Sequence, residues 1–104
     1  MVLRFSTDLN ISKGVSQILT EREIEYLSLI SMGLKNHMIA EIMYVSFSTV
    51  KKTLEVIFRK LGAKDRTNAV VLSFEHKILD FEVIKRVRTK YINKIKDIEA
   101  REQN

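Results

Sequence analysis

The chain has 104 residues, of which 45% are hydrophobic and 30% charged, and it carries a net charge of +5. That suits one globular domain and excludes a disordered chain or one dominated by membrane spans. With no proline, no cysteine and three glycines, it lacks both the turn residues of an all-β fold and any thiol for a disulfide framework, a zinc-thiolate site or a cysteine nucleophile.

An all-α fold is therefore expected. Residues 1–18 read as an N-terminal arm, because a brief alternation at Val2, Leu3 and Phe5 is broken by Asn10, Ser12, Lys13 and Gly14. The first clear helix starts after Thr20, since Thr20-Glu21-Arg22-Glu23 is a capping box. Ile24, Leu27 and Ile30 then share a face, and Gly33 is suited to a left-handed cap. A short second helix is predicted over Asn36–Met43, with Ala40 small enough to admit a neighbouring helix. Tyr44 and Val45 form a turn, and Ser46 serves as N-cap of a third helix running to about Leu61. Val50, Leu54, Ile57, Phe58 and Leu61 form its apolar stripe, while Ser48, Lys51, Lys52, Glu55 and Arg59 lie off it. A short helix, a tight turn and a capped helix with a basic outer face make the helix-turn-helix pattern.

Asp65 caps a fourth helix in which Ala69, Val70, Val71, Leu72 and Phe74 are apolar almost all round. One side must meet the core and the other needs a partner, most simply a second copy of the chain. Residues 80–104 continue as an amphipathic helical extension, with Phe81, Ile84, Val87, Tyr91, Ile95 and Ile98 in one stripe. The stripe spans fewer than three heptads, which allows a coiled coil without demanding one. Whether this segment fuses with the fourth helix is left open by the sequence.

Charge is concentrated. Residues 51–64 hold Lys51, Lys52, Arg59, Lys60 and Lys64 against the single acid Glu55, and residues 85–96 hold Lys85, Arg86, Arg88, Lys90, Lys94 and Lys96 with no acid. Two such stretches suggest a polyanionic partner.

Residues 19–79 resemble the C-terminal DNA-binding domain of the LuxR/FixJ (GerE-like) family. The matching residues are Leu19-Thr20-Glu21-Arg22-Glu23, Leu27, Gly33-Leu34, Asn36, Ile39-Ala40, Ser46, Thr49-Val50-Lys51, Phe58-Arg59-Lys60-Leu61-Gly62 and Asp65-Arg66-Thr67-Asn68-Ala69-Val70. The resemblance implies a four-helix domain, a homodimer formed through helix four (Val70, Val71, Phe74) and a transcription regulator binding paired half-sites on double-stranded DNA. It places Lys51, Lys52 and Glu55 among groove-facing side chains and Thr49 and Asn36 among phosphate anchors; Ser48, Lys35 and Arg59 complete the candidate surface. The chain departs from the family at Thr53, where His is frequent, at Lys35, where Ser or Thr is frequent, and at Phe47, where an acid is common. Phe47 fits a thymine methyl, a protein partner or local packing. Glu55 fits a cytosine amino group or an intrahelical pair with Lys51 or Arg59. Only about 19 residues precede the matched region, so a stand-alone regulator is expected.

The basic run at 85–96 has three readings: a solvated face over a helical seam, added phosphate contacts, or a dock for a partner such as RNA polymerase. A runner-up function is an interaction module that binds another regulator or the polymerase without specific DNA binding of its own. Enzyme chemistry is not supported. His37 and His76 stand in no motif, and no HExxH, GxSxG, P-loop or dinucleotide fingerprint occurs. No cofactor, metal or membrane partner is expected. With no apolar run of 18 residues and no signal-like N-terminus, a cytoplasmic location is expected.

Overall fold

The computed structural model describes residues 19–102, and all regular structure within them is helical. The arm expected over 1–18 lies outside the described residues. In chain order the helices are α1 (Glu21–Ser31), α2 (Asn36–Met43), α3 (Phe47–Leu61), α4 (Arg66–Glu75), α5 (Phe81–Lys90) and α6 (Ile92–Glu102).

Each of the first four starts where its cap dictates, except α2. Thr20 Oγ1 accepts from the Glu23 N–H at 3.0 Å, and Glu23 Oε1 accepts from the Thr20 N–H at 2.9 Å, closing the capping box. Ser46 Oγ accepts from the Thr49 N–H at 3.1 Å, and Asp65 Oδ1 from the Asn68 N–H at 2.8 Å. At α2 the residue in the cap position is Lys35, whose main-chain N–H donates to Met38 Sδ at 3.4 Å. Gly62 closes α3 at φ +71°, a left-handed backbone that glycine adopts without penalty. Tyr44 closes α2 at φ +58°, also left-handed, where a side chain is normally disfavoured. That single residue sets the tight turn from α2 into α3.

The core gathers around α1. Tyr26, Leu27 and Leu29 are buried against Ile39 and Ile42 of α2, Val50, Leu54 and Ile57 of α3, and Ala69 of α4. Ser28 and Ser73 are fully buried, but their hydroxyls donate to the Ile24 carbonyl at 2.9 Å and the Ala69 carbonyl at 2.7 Å, so neither is stranded.

The C-terminal segment is helical, as its pattern predicts, but it neither fuses with α4 nor forms one helix. After α4 the chain turns through Lys77 at φ +61°, sends Ile78 and Leu79 into the core, and restarts when Asp80 Oδ1 accepts from the Val83 N–H at 2.9 Å. A second break falls at Tyr91, with φ −111° and ψ 21°. The expected stripe is largely kept. Val87, Ile95 and Ile98 are buried, Ile84 and Tyr91 half-buried, and only Phe81 stands out, 73% exposed. The seam is intramolecular: α5 lies on α1 and α6 on α2.

Polar contacts pin that seam. Glu25 of α1 accepts from Lys90 Nζ at 2.6 Å and from the Tyr91 hydroxyl at 2.6 Å. Arg101 of α6 meets Glu41 of α2 at 2.6 Å. Burial tends to raise the Glu25 carboxyl, but the Lys90 and Tyr91 hydrogen bonds outweigh it and hold the group below its ordinary value of 4.5. A carboxyl depressed on folding contributes stability that is complete above its unfolded value and is lost as pH falls through its folded value. The gap in melting temperature between wild type and Glu25→Gln is therefore expected to be constant above about pH 5.5 and to shrink below about 4.5. Parallel acid curves would show that Glu25 is not coupled to folding.

Candidate nucleic-acid interface

α3 separates its residues cleanly. At about 100° per residue, Val50, Leu54, Ile57 and Leu61 project to one side, where all four are buried. Ser48, Lys51, Lys52, Glu55 and Arg59 fall within an arc of about 100° on the other, and every one of them is exposed. Among the described residues Glu55 makes no ion pair with Lys51 or Arg59, so the intrahelical alternative is not realised here. Phe47, at the first position of α3, is 54% exposed, which local packing does not account for. Among the described residues Lys51 and Lys52 make no ion pair, and the helix that carries them is anchored by its buried stripe.

At the N-terminal end of α3, Ser46 Oγ donates to Thr49 Oγ1 at 2.9 Å and lies 3.1 Å from Ser48 Oγ. Thr49 is exposed, and its hydroxyl proton remains available for an anionic oxygen outside the fold. Lys35 and Asn36 stand at the start of α2, apart from the α3 face. Asn36 Oδ1 accepts from Arg66 Nη1 at 2.7 Å, which leaves its amide N–H groups to donate. Arg66 also donates to the Leu34 carbonyl, so it buckles the start of α4 to the start of α2. Burial lowers the Arg66 guanidinium from its ordinary value, and it remains a cation at neutral pH.

The structure reassigns one residue. Lys60 was counted with the basic stretch, but its Nζ reaches Glu23 at 2.9 Å. Burial tends to raise Glu23, yet the Lys60 ammonium and the Thr20 N–H hold its carboxyl below the ordinary value. The carboxylate that caps α1 thus also grips the last turn of α3, giving Lys60 a structural role. Arg66 is a fastener that no local signal in the sequence announces, since its partners lie 30 and 32 residues away, although Asp65-Arg66-Thr67-Asn68 is among the residues that carry the resemblance.

On α4, Ala69 and Ser73 turn inward and Val70 leans on the core, while Val71 and Phe74 are 47% and 44% exposed. These last two sit three residues apart and share one face. The helix is less uniformly apolar than its composition suggests. Its outward surface is carried by Val71 and Phe74 more than by Val70.

Among the described residues no helix is long and apolar enough to cross a membrane, and no cluster of His, Cys, Asp and Glu is placed to hold a metal ion. The family described as "Bacterial regulatory proteins, luxR family" matches residues 17–73. Among curated proteins, the response regulator protein VraR of Staphylococcus aureus, of Staphylococcus epidermidis and of Staphylococcus saprophyticus is in each case 41% identical over 63 residues, 61% of this chain and 30% of the relative. The chain therefore spans about 30% of the length of these curated relatives. No solved structure matches it.

Proposed function

This chain belongs to the luxR family of bacterial regulatory proteins, and from that premise we propose that it is a helix-turn-helix DNA-binding transcription regulator that acts as a homodimer with α3 in the major groove. The observation that carries the reading is the exposed arc of Ser48, Lys51, Lys52, Glu55 and Arg59 opposite a fully buried stripe on the same helix. Lys51 and Lys52 supply base-edge contacts, each good bidentate one worth about 1–3 kcal/mol. Glu55 accepts from a cytosine amino group in the same groove. Thr49, the Asn36 amide, Lys35 and Arg59 hold phosphates, which sets register without reading sequence. Val71 and Phe74, flanked by Val70, form the seam with the second copy, so the two α3 helices read a two-fold symmetric site.

The test is a salt titration of binding to genomic DNA fragments, with sequencing of what is retained. Wild type is expected to enrich a two-fold symmetric site. Lys51→Ala/Lys52→Ala is expected to lose that enrichment, with affinity reduced by at least tenfold, the factor that about 1.4 kcal/mol represents. A wild type that retains no DNA above background at low salt would sink the reading and direct attention to a protein partner.

A further inference from the structure

The six cations between residues 85 and 96 have different fates. Arg88 donates to Glu99 at 3.3 Å and Lys90 to Glu25 at 2.6 Å, so these two fasten the extension. Lys94 is used otherwise. Its Nζ lies 5.1 Å from the centroid of the Tyr44 ring, within cation–π range. Tyr44 is the left-handed residue that turns α2 into α3; it is 79% exposed and stands two residues before the Ser46 cap. Lys94 meets no carboxylate among the described residues. The break at Tyr91 brings the α5–α6 corner to this turn, where Tyr44, Thr89, Lys90, Asn93 and Lys94 help to line a cleft of about 300 Å³ that no acid among the described residues lines.

In a helix-turn-helix the N-terminal residues of the second helix meet the base edges, and the phosphate walls of the groove flank that end. A cation held on the turn just before it is set beside one of those walls. The geometry points to the α5–α6 corner as a second contact surface for the DNA backbone, with Lys94 as the phosphate-binding group and Asn93 beside it. Duplex phosphate is the occupant because the corner is cationic, carries an amide donor and continues the surface presented by the start of α3. The inference rests on the proposal that α3 reads the major groove. It extends that contact beyond residues 17–73, the part matched by the family.

Lys96 provides an internal control. It is exposed, carries the same charge and lies on the same helix, but two residues along an α-helix turn it about 160° away from Lys94. The full chain is titrated with salt on its enriched duplex as wild type, Lys94→Ala and Lys96→Ala. For Lys94→Ala the slope of log affinity against log salt is expected to fall by about 0.9, with binding roughly three- to tenfold weaker and sequence preference unchanged. Lys96→Ala is expected to match wild type. Equal losses in the two variants would reduce the extension to a diffuse field, and no loss in either would detach it from DNA. Either result overturns the inference and leaves the α3 reading standing. If wild type binds no duplex, both fall together. Thermal melts unchanged in both variants are expected, since neither side chain is buried.

Discussion

Ile95→Ala is expected to destabilise the whole chain by about 2–5 kcal/mol, the range for emptying a buried isoleucine site. Ile95 lies beyond the residues matched by the family, yet it is fully buried and belongs to the same core cluster as Leu27, Ile39 and Ile57. A cavity at that position should therefore be felt by α1 and α2 as well as by α6. Urea unfolding followed by circular dichroism would show one transition with its midpoint lowered and its slope unchanged. If instead two transitions appear and only the weaker one moves, α5 and α6 form a separate unit leaning on a self-sufficient four-helix domain. Cutting the chain after Leu79 is the coarser version of the same test. It would remove Val87, Ile95 and Ile98 together and leave Glu25 without Lys90 and Tyr91.

If two copies pair through α4 as proposed, Phe74→Asp is expected to convert that dimer to monomer. A central aromatic anchor in an interface typically accounts for 2 kcal/mol or more, and a carboxylate in its place adds a desolvation cost, so a loss of about 3 kcal/mol, or over a hundredfold in dimer affinity, follows. Sedimentation equilibrium reads the change directly. The fold should survive, because Phe74 is 44% exposed and the buried line of α4 is carried by Ala69 and Ser73. Binding to a two-fold symmetric site should fall steeply and binding to a single half-site little. Phe81→Asp serves as comparison: Phe81 is also exposed, but it lies on α5. A dimer that survives Phe74→Asp and dissociates with Phe81→Asp would move the seam from α4 to the extension.

The features legible in the sequence were those written in local chemistry. Thr20 with Glu23, Ser46 and Asp65 each announce a helix start, because a side-chain oxygen reaches an N–H only three residues away. The α3 face was legible for the same reason: its burial follows one helical period. Four features escaped, each for a physical cause. The tight turn at Tyr44 and Val45 is legible, but not that Tyr44 makes it alone in a left-handed conformation that sequence reasoning reserves for glycine or asparagine. The break at Tyr91 contains neither glycine nor proline; it arises where the chain bends to seat α5 on α1 and α6 on α2. Lys60 looked like part of a basic face because its partner, Glu23, is 37 residues away. The Val70 side chain looked equivalent to Val71 until packing against the core distinguished them.

The hydrogen bond from Tyr91 to Glu25 joins residues 66 positions apart. During synthesis, then, α1 emerges long before the helix that covers it. Ribosomes add about 5–20 residues each second, so the flank of α1 destined for α5 stays uncovered for several seconds, bearing apolar surface and the Glu25 carboxylate without its two partners. Closing so long a loop costs entropy before any contact compensates for it. Completion of this fold therefore waits for α5 and α6, and a nascent chain stalled near residue 80 should be more exposed to aggregation and proteolysis than one that has passed α6.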